Sequence, residues 1–269
     1  MMWADILLQH PEVIDEIPED ICFLNWNYSA TPPEANVETF AKLGRSQIVC
    51  PGTSTWNRLC EDVDKEEQNI SLMAQYGYQH GAAGILNTNW GDWGNPCSLE
   101  LAMYGLVLGA EKAWSVATPI DDSFYRSVDA LLYRQPGAMA LLKQVSRLHG
   151  LINWKNFIKN YFSHRYPDYD ETTGISPEAI TAAQNMYSQL AEQLKAQVWT
   201  LDAYRQELLL SAEGLCVIAE LWGKLSGLST QRITDTQSWL AAYRASWLAR
   251  NKESELSRIE EVFTYCENC

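Results

Sequence analysis

The sequence predicts an α/β fold, in which half of a (β/α)8 TIM barrel is followed by an all-α helical domain. Up to about residue 115, short apolar runs alternate with stretches of helical spacing, the pattern of strand–helix units around a parallel sheet. From there to the last residue the strand-like runs stop, and helical periodicity continues alone. We therefore expect a barrel part over residues 1–115 and a helical domain over residues 116–269, with a boundary near Ser115–Ile120.

Four apolar runs in the first part are each short enough for one buried strand. They do not alternate cleanly between polar and apolar residues, which favours strands covered on both faces, as in parallel sheets. The runs are Met1–Ile6, Ile21–Leu24, Gln47–Cys50 and Ala82–Leu86. Helical spacing is found over Glu34–Leu43, Glu66–Tyr78 and Ser98–Trp114. Strand–helix–strand order with short connections predicts right-handed units and a parallel sheet.

The second part consists of stretches with helical spacing. One helix start is marked by Ser176 and Pro177, a capping side chain followed by proline at the first helical position. The other predicted helices are Ser123–Tyr133, Ala138–Leu148, Asn153–Phe162, Gln237–Arg250 and Glu253–Tyr265. We expect no strand after residue 121.

Four strand–helix units are half the number that a closed (β/α)8 barrel requires. A half-barrel leaves an unpaired strand edge on each side, and natural proteins avoid such edges. We therefore expect the missing half to lie upstream in a longer chain, or to be supplied by self-association or a partner chain. Without such cover, we expect the chain not to be a stable monomer.

The composition excludes several classes of function. With 34 acidic and 20 basic residues the formal net charge is −14, which disfavours nucleic acids, anionic membranes and anionic glycans, so a neutral substrate fits best.

No apolar run reaches the ~18 residues of a membrane-spanning helix. We see no export signal, no metal-ligand spacing among the four histidines and no cofactor motif, and we expect a cytoplasmic protein. Cys266 and Cys269 form a terminal CxxC, interpreted as incidental thiols on a frayed tail.

Each predicted strand is followed by a tryptophan beside Asn, Asp or Thr. The tryptophans are Trp3, Trp26, Trp56 and Trp90, with Asn57 and Asp92 among their polar neighbours. In parallel βα folds the functional groups lie just past the carboxyl ends of the strands. A sugar ring stacks its C–H face on an indole, while its hydroxyl groups bond to carboxylates and amides. The pattern predicts a carbohydrate site, at which Trp3, Trp26, Trp90 and Asp92 converge with Trp56 or Asn57 at the rim.

The segments Trp3–Leu7, Phe23–Tyr28 and Asn89–Asn95 resemble the later barrel strands of family 20 glycoside hydrolases, the β-N-acetylhexosaminidases. The resemblance covers residues 1 to about 114 and implies that the present strands are strands five to eight of the barrel. It implies that Trp3, Trp26 and Trp90 wall the pocket for a terminal N-acetylhexosamine. Asp92 would bind the outer hydroxyl groups of that sugar, although the family commonly has Glu there, and Trp56 would be the wall from strand seven.

The resemblance also implies an Asp-Glu catalytic pair at the end of strand four, which would lie upstream of Trp3. The two Asp-Glu pairs present, Asp15-Glu16 and Asp170-Glu171, are not at strand ends and are interpreted as surface charge. We therefore expect no catalytic residue in this chain and no hydrolysis by the chain alone. The whole enzyme would release N-acetylglucosamine, N-acetylgalactosamine or the free amine. The alternatives are a non-catalytic carbohydrate-binding or scaffold protein, and another barrel glycosidase with different acids.

Overall fold

A computed structural model describes residues 1–92, 95–229 and 231–269. The fold belongs to the α/β class, with one four-stranded parallel sheet and many helices. The strands follow one another in the sheet in chain order, β1-β2-β3-β4. Their bounds are Met2–Trp3 for β1, Phe23–Trp26 for β2, Gln47–Cys50 for β3 and Gly84–Ile85 for β4. The parallel sheet is as predicted, but β1 and β4 are shorter than the apolar runs that predicted them.

Helix α1 (Asp5–Gln9) begins inside the run Met1–Ile6, which predicted a strand. The next three helices lie where helical spacing predicts them, and they are α2 (Glu34–Lys42), α3 (Val63–Gln79) and α4 (Met103–Trp114). Helix α3 begins three residues before the predicted start, because the side chain of Asp62 caps it by accepting a hydrogen bond from the Lys65 amide. The predicted helix Ser98–Trp114 divides into a 3-10 turn over Leu99–Ala102 and α4.

One face of the sheet is covered by the connecting helices. Phe23 of β2 is completely buried and packs in a cluster with Ala4, Leu7 and Phe40. Beside it, the side chain of Val49 in β3 is buried in a second cluster, with Val37 and Met73. These clusters fix the strands against α1, α2 and α3, since burying apolar area is the main stabilising term in folding.

The other face of the sheet, here the open face, is only partly covered. Trp3 pairs with Leu24, Leu24 with Ile48, and Ile48 with Gly84, so these four residues share that face. Leu24 and Ile48 are half-buried, and Trp3 and Gly84 are exposed. Because Trp26 is two residues past Leu24, it belongs to the same face, nearer the carboxyl ends of the strands.

Packing divides the chain into two compact units that are not continuous in sequence. The first unit comprises residues 1–54, 62–90 and 103–124, and the second comprises residues 55–61, 91–102 and 125–269. All four strands belong to the first unit. From residue 121 onward the described residues form helices and loops and contain no strand. The predicted domain boundary near Ser115–Ile120 stays a prediction.

The second unit is a helical assembly around one long helix. Helix α5 (Asp122–Val128) crosses the division between the units, and the remaining helices are α6 (Ala138–Leu151), α7 (Trp154–Arg165), α8 (Pro177–Lys195), α9 (Asp202–Leu225), α10 (Thr236–Arg250) and α11 (Leu256–Asn268). In α9, every residue from Gly214 to Gly223 is buried. A helix that is buried around its whole circumference lies in a core, and this part of α9 has that position.

The C-terminal segment is ordered rather than frayed. Cys266 lies within α11 and is completely buried, whereas Cys269 is exposed. The prediction of a frayed tail was wrong, because Leu256, Ile259, Val262 and Phe263 give α11 a buried apolar face that ties it to the unit. Among the described residues, every helix is too short or too polar to span a lipid bilayer.

Candidate functional site

Three of the predicted site residues lie at or past the carboxyl ends of strands, and in a parallel sheet these ends share one edge. Trp3 and Trp26 are the last residues of β1 and β2. Trp90 comes five residues after β4, and the parallel bridge between Gly52 and Thr88 continues the pairing of β3 and β4 toward it. The topology therefore brings the three indoles to the same end of the first unit.

These indoles form one aromatic cluster with Tyr28. The rings of Trp3 and Trp90 are tilted at 51° with centroids 5.8 Å apart. The rings of Trp26 and Tyr28 are stacked at 24° with centroids 5.0 Å apart. The indole N–H of Trp90 donates a hydrogen bond of 2.8 Å to the Tyr28 hydroxyl, which joins the two pairs. We call Trp3, Trp26, Tyr28 and Trp90 the aromatic cluster.

A carboxylate borders the aromatic cluster. Asp5, two residues past Trp3, begins α1 and is half-buried. Its Oδ1 accepts a hydrogen bond of 3.3 Å from the indole N–H of Trp26. Trp26 and Trp90 thus each donate their N–H group to a side chain, which fixes the orientation of their rings.

Two rings of the aromatic cluster are open to solvent. Trp3 is 39% exposed and Trp90 is 38% exposed, while Trp26 and Tyr28 are half-buried. An exposed tryptophan is unremarkable when it stands alone, but contiguous exposed apolar area commonly marks a binding surface. Here two exposed indoles lie in contact, and Trp26 of the same cluster donates to a carboxylate that can accept further hydrogen bonds. The arrangement suits a ligand with an apolar face and a polar rim.

The loop that carries Tyr28 is held by a completely buried amide on α3. The Nδ2 of Asn69 donates to the backbone carbonyls of Asn27 at 2.8 Å and Ser29 at 2.7 Å. The Oδ1 of the same side chain accepts a hydrogen bond of 3.1 Å from the Gly52 amide. One amide therefore connects the loop after β2 with the loop after β3, and sequence reasoning did not identify it.

The remaining predicted site residues, Trp56, Asn57 and Asp92, belong to the second compact unit. Trp56 and Asn57 are half-buried and Asp92 is exposed. Their role in sugar binding stays a prediction. Trp93 and Gly94, which belong to the segment of family resemblance after β4, lie outside the described residues.

The Cys50 thiol at the carboxyl end of β3 is not a reactive nucleophile. Cys50 ends β3 in register with Trp26, but burial raises the pKa of its thiol to about 12, with Cys22 adding to the shift. A thiol with that pKa stays protonated at neutral pH and is a poor nucleophile. In the described part of the chain, no group of three His, Cys, Asp or Glu side chains is arranged to hold a metal ion.

Comparison with known proteins finds no family model that matches the chain and no matching curated protein.

Proposed function

We propose that the aromatic cluster binds a terminal sugar ring, and that the chain is the sugar-binding half of a glycoside hydrolase acting on terminal N-acetylhexosamine. The observation that carries the proposal is the convergence of Trp3, Trp26 and Trp90 at one end of a parallel sheet. Their faces supply the stacking surface for the ring, and Asp5 supplies an acceptor for a hydroxyl group.

The open face of the sheet supports the half-barrel part of the proposal. Parallel strands are normally covered on both faces, because their connecting helices and the barrel interior enclose them. Here Trp3, Leu24, Ile48 and Gly84 lack full cover, and β1 and β4 end the sheet. Four further strand–helix units would cover the open face and pair with both edge strands. The present strands would then be strands five to eight.

The catalytic acids of the proposed enzyme lie outside this chain. Asp15 and Glu16 are exposed in a 3-10 segment, Pro11–Glu16, between β1 and β2. Asp170 and Glu171 are exposed in a loop, where Glu171 forms an ion pair with Lys159 that lowers the pKa of its carboxyl group. None of the four lies past a strand end. The chain alone is therefore expected to bind sugar without hydrolysing it, since a positioned general acid contributes about 10²–10⁴-fold to such reactions.

The test is a binding titration with methyl N-acetyl-β-glucosaminide, performed on the wild type, Trp90→Ala and Trp114→Ala. Trp114 is the matched control, because it ends α4 in the same unit and is 91% exposed. The proposal predicts saturable binding that Trp90→Ala weakens and Trp114→Ala leaves unchanged. No binding, or equal loss in the two variants, contradicts it.

An assay with an aryl N-acetyl-β-glucosaminide accompanies the titration. Binding without turnover agrees with the proposal and also with its second candidate, a non-catalytic carbohydrate-binding or scaffold protein. That candidate is favoured by the exposed position of both Asp-Glu pairs. Supplying the upstream barrel half separates the two, because only the enzyme gains hydrolysis. Turnover by the present chain that one substitution abolishes would mean that the acid is in this chain.

A further inference from the structure

A cavity of about 140 Å³ lies within the first unit, on the face of the sheet that the connecting helices cover. Val49 and Ile85 line it from β3 and β4, Ala74 and Gly77 from α3, and Ala113 from α4. Because Ala113 is exposed, the cavity can be reached from solvent. An apolar cavity of about 150 Å³ holds a molecule the size of benzene, so a small ring fits here.

One lysine contributes to this apolar lining. Lys112 of α4 is only 6% exposed. Its Nζ donates hydrogen bonds to the backbone carbonyls of Thr118 at 2.7 Å and Val116 at 3.2 Å. No carboxylate in the described part of the chain forms an ion pair with it. The neighbouring acid, Glu111, instead accepts a hydrogen bond of 2.6 Å from the Thr118 hydroxyl.

The charge of Lys112 is therefore only partly compensated. Burying an ammonium group is costly unless it is both hydrogen-bonded and paired with an opposite charge. The two carbonyls carry partial charges only, and burial holds the pKa of Lys112 below its ordinary value. An ammonium group has three N–H donors, of which the carbonyls take two. Since Val116 both accepts from Nζ and lines the cavity, the ammonium lies at that end of it.

We propose that this cavity binds a small carboxylate with an apolar body the size of a benzene ring, and that Lys112 pairs with the carboxylate. The apolar walls enclose the ring, and the ammonium donates a charge-assisted hydrogen bond to the anion. The formal net charge of −14 disfavours anions in general, so the buried cation is what selects one here.

This site is distinct from the aromatic cluster. Val49 lines the cavity, whereas its neighbour Ile48 belongs to the open face, and successive residues of a strand point to opposite faces. The inference does not depend on the sugar-binding proposal.

The test is a heteronuclear NMR titration of the chain at neutral pH with benzoate, benzyl alcohol and benzylamine. Their apolar bodies are nearly alike, and their head groups are anionic, neutral and cationic. Benzoate should shift the amide signals of Gly77 and Ala113, and should bind about tenfold more tightly than benzyl alcohol, the effect of one hydrogen bond to a charged group. Benzylamine should bind most weakly.

Two variants with matched controls locate the site. Lys112→Met keeps an apolar stem without the charge and should bind benzoate no more tightly than benzyl alcohol, whereas Lys42→Met, at an exposed lysine of the same unit, should keep the preference. Ala113→Leu should weaken all binding by filling the cavity from its exposed wall. Ala110→Leu, at an exposed position of α4 outside the cavity lining, should not.

Three outcomes would overturn the proposal. Equal affinity of the wild type for benzoate and benzyl alcohol, or a preference kept in Lys112→Met, would show that Lys112 does not pair with the ligand. Unchanged benzoate affinity in Ala113→Leu would place the ligand elsewhere. Absence of binding by all three compounds would remove the site altogether.

Discussion

In the first unit, the indole N–H groups of Trp26 and Trp90 donate to side chains, those of Asp5 and Tyr28. In the second unit, Trp222 and Trp239 are buried and donate to the backbone carbonyls of Thr173 and Leu210, each at 2.8 Å. A tryptophan whose ring is buried and whose N–H donates to a backbone carbonyl is part of the hydrophobic core. Indoles that are partly exposed and are oriented by side chains form a surface that can bind a ligand. Residue type alone does not separate these uses.

The largest expected effect is on Trp239, the clearest core tryptophan. It is 1% exposed, and its ring centroid lies 4.6 Å from that of Phe263 and 5.2 Å from that of Tyr243. Trp239→Ala should lower the free energy of unfolding by about 3–5 kcal/mol, whereas Trp90→Ala should lower it by less than about 1 kcal/mol. Urea denaturation followed by circular dichroism measures both. A similar loss in the two variants would show that the aromatic cluster is core.

Asn69→Asp should produce the next largest effect. The change keeps the acceptor for the Gly52 amide, removes both donors to the Asn27 and Ser29 carbonyls, and buries a charge. We expect the free energy of unfolding to fall by about 1–3 kcal/mol, with faster amide exchange in residues 27–29. Gln68→Glu makes the same chemical change on an exposed neighbour in α3 and should have little effect. Unchanged exchange in residues 27–29 would refute the positioning role of Asn69.

His149 should make the stability of the second unit dependent on pH. It is completely buried with no hydrogen-bond partner for either ring nitrogen among the described residues, and burial, with Arg58, holds its pKa well below the ordinary 6.5. The folded pKa is depressed, so below about pH 6.5 the unfolded chain binds a proton that the folded chain does not. Stability should therefore fall by up to about 1.4 kcal/mol per pH unit as the pH drops from there toward the folded pKa.

The measurement for His149 is urea denaturation at a series of pH values. His149→Leu should flatten the dependence, and His164→Leu, at an exposed histidine of α7, should not. Equal slopes in the wild type and His149→Leu would mean that another group is responsible.

The smallest effect on stability is expected for Tyr28→Phe. The variant keeps the ring that stacks on Trp26 and removes the acceptor of the Trp90 N–H. We expect less than about 1 kcal/mol in unfolding but a changed near-ultraviolet circular dichroism band, because Trp90 loses its fixed orientation. Tyr78→Phe is the control, at a tyrosine of the same unit that is 78% exposed. An identical spectrum in the wild type and Tyr28→Phe would remove Tyr28 from the site.

The fold was predictable where the length of an apolar run fits a strand and not a helix. Strand β3 has the predicted bounds, Gln47–Cys50. The run Met1–Ile6 instead contains a two-residue strand and the start of α1, because an apolar run that short fits a buried helical turn as well as a strand. The burial of Cys266 was not predictable either, because it depends on the residues against which α11 packs.

The site was predictable where it depends on topology. Residues past the ends of parallel strands lie at one edge of the sheet, so Trp3, Trp26 and Trp90 could be placed near one another from their positions in the sequence. Asn69 could not be found this way, because its partner Ser29 is 40 residues away and no sequence pattern marks the contact. The second-unit location of Trp56 and Asp92 depends in the same way on packing between distant segments.

The central claim is that the indoles stack on the apolar face of a sugar ring. Saturation-transfer NMR on the chain with methyl β-glucosaminide and its N-acetylated counterpart tests this most directly. The account predicts the strongest transfer to the axial ring hydrogens of one face of the sugar, and its loss in Trp90→Ala but not in Trp114→Ala. Transfer spread evenly over the ligand, or kept in Trp90→Ala, would contradict it.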